Sequence, residues 1–359
     1  MKAAVCRAFG QPLTIEDIDI ASPGPGEIKV KIAACAICHS DIHFMEGAWG
    51  GDLPAVYGHE AAGTVEEIGE GVNGLELGDP VVVTLIRSCG HCHYCTQGLP
   101  TQCETKFALD SHGPLASKDG QPIAQGLRTG AFAEYAVVDA SQAVRIPRDV
   151  PLDSASLLAC GVITGYGAVA NTANVPAGAN VVVVGAGGVG LNSIQGAALR
   201  GARNIIAVDV SDQKLEAALD FGATHGINPT KESAAKTIRR IGGGRGADFA
   251  FVTVGAKTAI EQAFTYIGKA GSVVIVGMPA NGVTTAFDPM NFAFWGQKVL
   301  GSKMGSTRLS VDVPALVDLY KQGRLKLDEL ITGRYPLERI NEAVASVLAG
   351  QALRNVILF

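Results

Sequence analysis

Between Cys38 and Glu60 the chain reads C-H-S-D-I-H-F-M-E-G-A-W-G-G-D-L-P-A-V-Y-G-H-E. A thiol, imidazoles, a hydroxyl and carboxylates are crowded into one stretch of an otherwise apolar, glycine-rich sequence. Zinc takes thiolate and imidazole ligands, and a catalytic zinc site keeps one position open. Cys38 and His59 have the right chemistry for a first and a second ligand. A third ligand, a redox partner and a proton route must then come from elsewhere in the chain.

A second cluster is tighter. Cys89, Cys92, Cys95 and Cys103 follow one another at C-x2-C-x2-C-x7-C spacing in a Gly- and His-rich loop. Four thiolates that close together can complete a tetrahedron around one Zn2+ with no open position, which makes the site structural. An iron–sulfur cluster or a redox pair is the alternative reading of the same spacing. His91 and His93 lie between ligands, but four cysteines fill the shell, so both are expected to face solvent. Cys6 and Cys35 lie in apolar runs and read as small buried hydrophobes.

A redox partner is suggested by G-A-G-G-V-G at 185–190. Gly185, Gly187 and Gly190 make G-x-G-x-x-G directly after the apolar run Val181–Val184 and directly before a helical pattern. The first glycine permits the tight turn, the second lets backbone approach a pyrophosphate, and the third lets helix and strand pack closely. Gly188 and Val189 open the helix, whose free N–H groups face that pyrophosphate. Asp209 closes the next strand, where a ribose 2′-hydroxyl would be held. A carboxylate there repels a 2′-phosphate, so NAD is favoured over NADP, and Lys214 is placed to reach the ribose.

The elements that must position these groups fall into two regions. In residues 1 to about 100, short alternating runs (K-A-A-V-C, L-T-I-E-D-I-D-I, E-I-K-V-K-I-A-A-C, A-A-G-T-V-E-E-I-G, D-P-V-V-V-T-L) are separated by Gly and Pro turns, predicting a barrel-like, largely antiparallel fold. Residues 104–130 read as a polar surface excursion. S-A-S-L-L-A-C-G-V-I-T-G-Y-G-A-V-A-N-T reads as one helix with a glycine-interrupted face. From Asn180 the rhythm becomes strand, turn, helix, strand, with fully apolar strands that indicate a parallel sheet buried on both faces. D-V-P-A-L-V-D-L-Y-K-Q-G reads as an amphipathic helix ending at Gly323, and R-N-V-I-L-F as a terminal strand returning to the first domain. The expected division is residues 1–160 with 305–359, and 161–304.

Composition sets the outer bounds. The chain has 359 residues, more than one core usually serves. It is 47% hydrophobic and 18% charged, with formal net charge −5, so neither nucleic acid nor an anionic membrane surface is expected as a partner. No apolar run reaches the length of a membrane span, and the N-terminus lacks a signal-peptide core. A cytoplasmic, reducing compartment is the default expectation, and in it eight cysteines point to metal or catalysis rather than disulfides.

Together, G-H-E at 58–60, the four-cysteine knuckle, C-G-V-I-T-G-Y-G at 160–167, and the glycine loop with Asp209 resemble, in order and spacing, the zinc-dependent medium-chain alcohol dehydrogenases. The resemblance spans essentially the whole chain. It implies an α/β protein: a GroES-like, β-rich catalytic domain plus a doubly wound parallel-sheet (Rossmann) cofactor domain. It makes Cys38, His59 and Cys160 the catalytic zinc ligands, with Glu60 behind the metal and Asp41 orienting His59. Two zinc ions per subunit and NAD are the implied cofactors. The implied reaction is reversible oxidation of an alcohol, a primary one by preference, to an aldehyde or ketone, with hydride passing from a zinc-bound alkoxide to nicotinamide C4. Ser40 would contact the substrate oxygen and His43 would pass the proton toward solvent. His39 and Arg354 would lie near the cofactor phosphates, with His39 holding them less strongly than an arginine. Thr164, Val276 and Met278 would lie near the nicotinamide, and Trp49, Leu85 and Met278 would line an apolar substrate pocket. A homodimer or homotetramer is implied; the 104–130 segment, intermediate in length between family subtypes, fits either. Two alternatives accompany this reading: an S-(hydroxymethyl)thiol dehydrogenase with the same chemistry, and a zinc- and NAD-binding protein without turnover.

Overall fold

The computed structural model describes all 359 residues. They form two compact units, Met1–Cys160 with Arg308–Phe359, and Gly161–Thr307. The chain thus returns to the first unit three residues later than the sequence suggests.

The first unit is built on strands whose alternation sorts side chains to two faces. A closed five-stranded barrel runs Lys2–Cys6, Thr14–Ile20, Leu115–Ser117, Pro122–Gln125, Ala55–Val56. Beside it is a seven-stranded sheet centred on Glu27–Ala36, which pairs antiparallel with Glu60–Ile68, Tyr135–Asp139 and Arg354–Leu358. Ile28, Val30 and Ile32 turn inward and are buried with Phe132, Ile18 and Ile123. Lys29, on the opposite phase, reaches out to Glu67 at 2.6 Å.

Two expectations change here. Residues 104–130 are not a surface excursion throughout, because Leu115–Ser117 and Pro122–Gln125 are barrel strands with Leu115 and Ile123 in the core. The helix expected through Cys160 is broken there. Leu152–Ser156 is helical, a tight turn covers Leu157–Ala159, and Cys160 leaves helical geometry at φ −146°, ψ −68° before Gly161–Gly167 resumes. The break frees the Cys160 side chain from the helix surface.

The second unit is a six-stranded, all-parallel sheet. Numbered within the unit, its strands lie in the order 3-2-1-4-5-6, that of a doubly wound dinucleotide fold. Strand 1 is Asn180–Val184 and strand 4 is Ala247–Val252. Both sheet faces are covered, which is why Val181, Val182 and Val183 are all fully buried. Helix Gly161–Gly167 packs so closely on Gly188–Leu199 that a Cβ on Gly165 would lie 2.3 Å from the Val189 carbonyl oxygen. No single helix is long and apolar enough to cross a membrane.

Candidate active site and metal centres

Sheet register brings the first two ligands together. Ala36, at the end of its strand, pairs with Glu60, at the start of the next. Cys38 therefore follows one strand end while His59 precedes the adjoining strand start. Gly58 makes the turn possible. Its φ is +91°, and a Cβ there would lie 2.6 Å from the Phe132 backbone nitrogen, so only glycine fits. On the other flank of the central strand, Val356 pairs with Ala36, which sets Arg354 beside Glu60.

Asp41 organises the cluster. It is the third residue of the short helix His39–Met45. Its carboxylate accepts from the Cys38 amide at 3.1 Å, the Gly58 amide at 3.0 Å and His59 Nδ1 at 2.9 Å. One fully buried side chain thus caps the helix, fixes the glycine turn and holds the imidazole. With Nδ1 bound to Asp41, Nε2 is the nitrogen left to face a metal.

Cys38, His59, Glu60 and Cys160 each present a ligand atom within 4.8 Å of the others, and all four are buried. His59 Nε2 has no hydrogen-bond partner although the residue is fully buried. Such an orphan is costly in a protein interior, and a cation between two thiolates and an imidazole would satisfy it. The cluster therefore fits zinc. The buried groups perturb one another strongly. The Cys38 thiol is pushed well below its ordinary pKa by hydrogen bonding from Cys160, with His59 assisting, and Cys160 is held correspondingly high. Burial depresses the His59 pKa, but the charge of Asp41 and its hydrogen bond, with help from Cys38, carry it well above the usual value. Burial pushes the Glu60 carboxyl up to about 7 against the pull of Arg354.

Arg354, assigned from sequence to the cofactor phosphates, is 6% exposed and its guanidinium is paired with Glu60. Nothing in its local sequence, R-N-V-I-L-F, announces that pairing; only strand register does.

Ser40 and His43 lie one turn apart on the Asp41 helix, each partly exposed. His39 opens that helix and is exposed. The His43 ring rests against Trp49 at 4.9 Å, and Trp49 meets Phe44 edge-on at 5.4 Å. Phe44 in turn stacks on Tyr57, a buried residue that sequence reading passed over. Leu85 is partly buried in the same unit.

At the knuckle the four cysteines are free, partly exposed and grouped within 4.8 Å. Cys92 Sγ lies 3.9 Å from Cys103 Sγ, close to the spacing of about 3.8 Å for sulfurs at tetrahedral corners around zinc. Backbone amides already point at sulfur, Cys92 N at Cys89 Sγ (3.2 Å) and Cys89 N at Cys103 Sγ (3.4 Å). A hydrogen bond with Thr105 draws the Cys89 thiol down to about 6, and burial lifts Cys95 to about 12. The donor set fits a closed zinc site, and His91 and His93 face solvent.

In the second unit the glycine loop has the form its spacing implies. Gly185 sits at φ +93°, and a Cβ on Gly190 would lie 1.8 Å from the Gly185 carbonyl oxygen. A Cβ on Gly187 would meet nothing within 4 Å, so the backbone at the head of helix Gly188–Leu199 is open to a ligand. Asp209 accepts from the Ala186 amide at 2.7 Å and the Ser211 amide at 2.9 Å, tying the loop to the following strand with acceptor capacity to spare. These residues fit a dinucleotide. Lys214 is in the first turn of helix Asp212–Asp220. Thr164 is buried and points its hydroxyl at Met304 sulfur, Val276 is buried, and Met278 is exposed.

Comparison with known proteins decides the family. Residues 24–148 match the alcohol dehydrogenase GroES-like domain, and residues 188–322 the zinc-binding dehydrogenase family. This chain belongs to the zinc-dependent medium-chain dehydrogenase/reductase family. It is 38% identical to an NDMA-dependent alcohol dehydrogenase of Amycolatopsis methanolica, over 99% of this chain and 98% of the relative. An alcohol dehydrogenase zinc-binding domain protein from Burkholderia ambifaria superposes with TM-score 0.95 at 36% identity, covering 100% and 98% of the two chains. Benzyl alcohol dehydrogenase from Acinetobacter calcoaceticus superposes with TM-score 0.93 at 33% identity, covering 100% and 99%. The chain is accordingly an oxidoreductase of the alcohol dehydrogenase family.

Proposed function

We propose that the protein is a two-zinc, NAD-linked dehydrogenase that interconverts a primary alcohol and its aldehyde. The observation that carries this is the fully buried His59 with an unpartnered Nε2, set among Cys38, Cys160 and Glu60. When bound there, zinc supplies a Lewis acid at the substrate oxygen. The rest falls to the chain. Asp41 fixes the imidazole. Ser40, one turn before His43 on the same helix, would accept the substrate's hydroxyl proton as it gives up its own to the His43 imidazole, which would release a proton toward solvent. The glycine loop holds the pyrophosphate and Asp209 the adenosine ribose, which selects NAD over NADP. Trp49 and Phe44 favour an aromatic primary alcohol, in keeping with the benzyl alcohol dehydrogenase among its relatives.

The direct test is NADH formation by metal-loaded enzyme across aliphatic, aromatic and hydroxymethyl-thiol substrates, with NADP in parallel. Turnover of benzyl alcohol with NAD is expected. No turnover across the panel, at verified zinc content, would refute the reading, and turnover confined to hydroxymethyl-thiols would move the substrate class. A second reading concerns the electron acceptor, because a 38% identical relative is named as NDMA-dependent. Turnover seen only when NDMA is supplied would favour it.

A further inference from the structure

Trp49 sits in a loop that does little to hold it. Gly47, Gly50 and Gly51 surround it, all at positive φ, and none has a side chain to brace the ring. Its placement therefore depends on its contacts. The His43 ring lies 4.9 Å from it and the Phe44 ring 5.4 Å, edge-on. Phe44 is only partly buried and is itself backed by Tyr57, at 6.0 Å with 24° between the ring planes. Tyr57 is the fixed end of this row. It is 2% exposed, and its carbonyl accepts from the Phe132 amide at 2.8 Å. Its ring fills a slot that Gly126 leaves open, since a Cβ there would lie 2.3 Å from Tyr57 Cδ1. The Tyr57 hydroxyl has no hydrogen-bond partner, so the row is held by its rings and not by that hydroxyl. Tyr57 also directly precedes Gly58 and His59, which anchors the row at the turn that places a candidate metal ligand.

From this row we infer that Tyr57 is a positioning residue for substrate: through Phe44 it holds Trp49 as a fixed wall, and so sets which alcohols fit. A close-packed row passes displacement along, because its members cannot move independently. Removing the Tyr57 ring leaves Phe44 without backing and lets Trp49 shift with it. A wide aromatic alcohol, which needs the wall, then loses more than a short aliphatic one. The inference rests on the proposed reading of Trp49 as a wall of the alcohol pocket.

The test compares kcat/KM for benzyl alcohol and 1-propanol in the metal-loaded enzyme. Tyr57→Leu should lower the benzyl-to-propanol ratio about fivefold or more, the size of one lost aromatic pair. The loss should fall chiefly on KM, because a wall binds ground state and transition state alike. Tyr57→Phe keeps the ring and drops only the unpartnered hydroxyl, so its ratio should stay within about twofold of the parent. If Tyr57→Leu does not fold, Phe44→Leu should give the same shift. A purely structural role lowers both substrates together; an unchanged ratio, or one that falls as far in Tyr57→Phe, would overturn the inference. A second readout needs no turnover. Trp49 and Trp295 are the two tryptophans of the chain, so in a Trp295→Phe background acrylamide quenching reports Trp49 alone. Adding Tyr57→Leu should raise quenching about 1.5-fold or more as the ring loosens, and adding Tyr57→Phe should not; equal quenching in both would overturn the placing role. A parent that turns over no benzyl alcohol would overturn the aromatic-alcohol reading, and the quenching result would then decide by itself whether Tyr57 places Trp49.

Discussion

Asp41 and Asp209 show how much one carboxylate can organise. Asp41 joins the Cys38 amide, the Gly58 amide and His59 in a fully buried site. Asp41→Ala leaves those donors unpaired and the imidazole free to turn. Outer partners of this kind commonly account for about 10- to 100-fold in metal affinity. Competition against a chelator should show a loss of that order at one of the two zinc sites, with the knuckle zinc retained; equal retention at both sites would refute the role. Asp209 acts on the cofactor side. It already binds the Ala186 and Ser211 amides, so Asp209→Ala should loosen the loop and remove the repulsion toward a 2′-phosphate. The NAD-to-NADP ratio of kcat/KM should fall about tenfold or more, the size of one charge-assisted contact, and an unchanged ratio would show that discrimination lies elsewhere.

At the level of elements, the turn at Gly58 joins barrel to sheet and places His59. Gly58→Ala forces a left-handed alanine and drives its Cβ into the Phe132 backbone. Left-handed strain alone costs about 1–2 kcal/mol, and the clash adds to it. Urea unfolding should show a loss of at least about 2 kcal/mol, with zinc at the Cys38 site lost first; a variant as stable as the parent would contradict the packing described. These elements differed in how readable they were. The alternating strands and the apolar parallel strands announce themselves because side-chain period reports burial directly. G-H-E and the glycine loop are readable because only glycine tolerates those dihedrals and approaches. Leu115–Ser117 and Pro122–Gln125 escape because three or four residues between Lys, Asp, Gly and Pro carry too little period to separate from a loop. The break at Cys160 escapes because S-L-L-A-C-G-V-I is an apolar run with no proline to mark an end, and its glycine reads equally well as an interruption of one helix face. The pairing of Arg354 with Glu60 depends on strand order, which no local pattern encodes.

For the whole molecule, the separation into two units makes metal and nucleotide binding separable. Every residue of the glycine loop, with Asp209, belongs to Gly161–Thr307, and all seven candidate zinc ligands, with Glu60 and Asp41, belong to the other unit. The knuckle is a loop of partly exposed cysteines with little core of its own, so its order depends on its metal, and binding energy there is folding energy. Cys103→Ala removes one corner of a closed tetrahedron. The variant should carry one zinc where the parent carries two, and limited proteolysis should cut between residues 90 and 104 at sites protected in the parent. NADH affinity, followed by nucleotide fluorescence, should stay within about twofold, because the second unit has its own core and loop. Loss of NADH binding in step with loss of the knuckle zinc would mean that the nucleotide fold needs the metal loop. Retention of both zinc ions would mean that Cys103 is not a ligand. The two readouts are independent, so one variant tests both the closed four-cysteine site and the autonomy of the cofactor-binding unit.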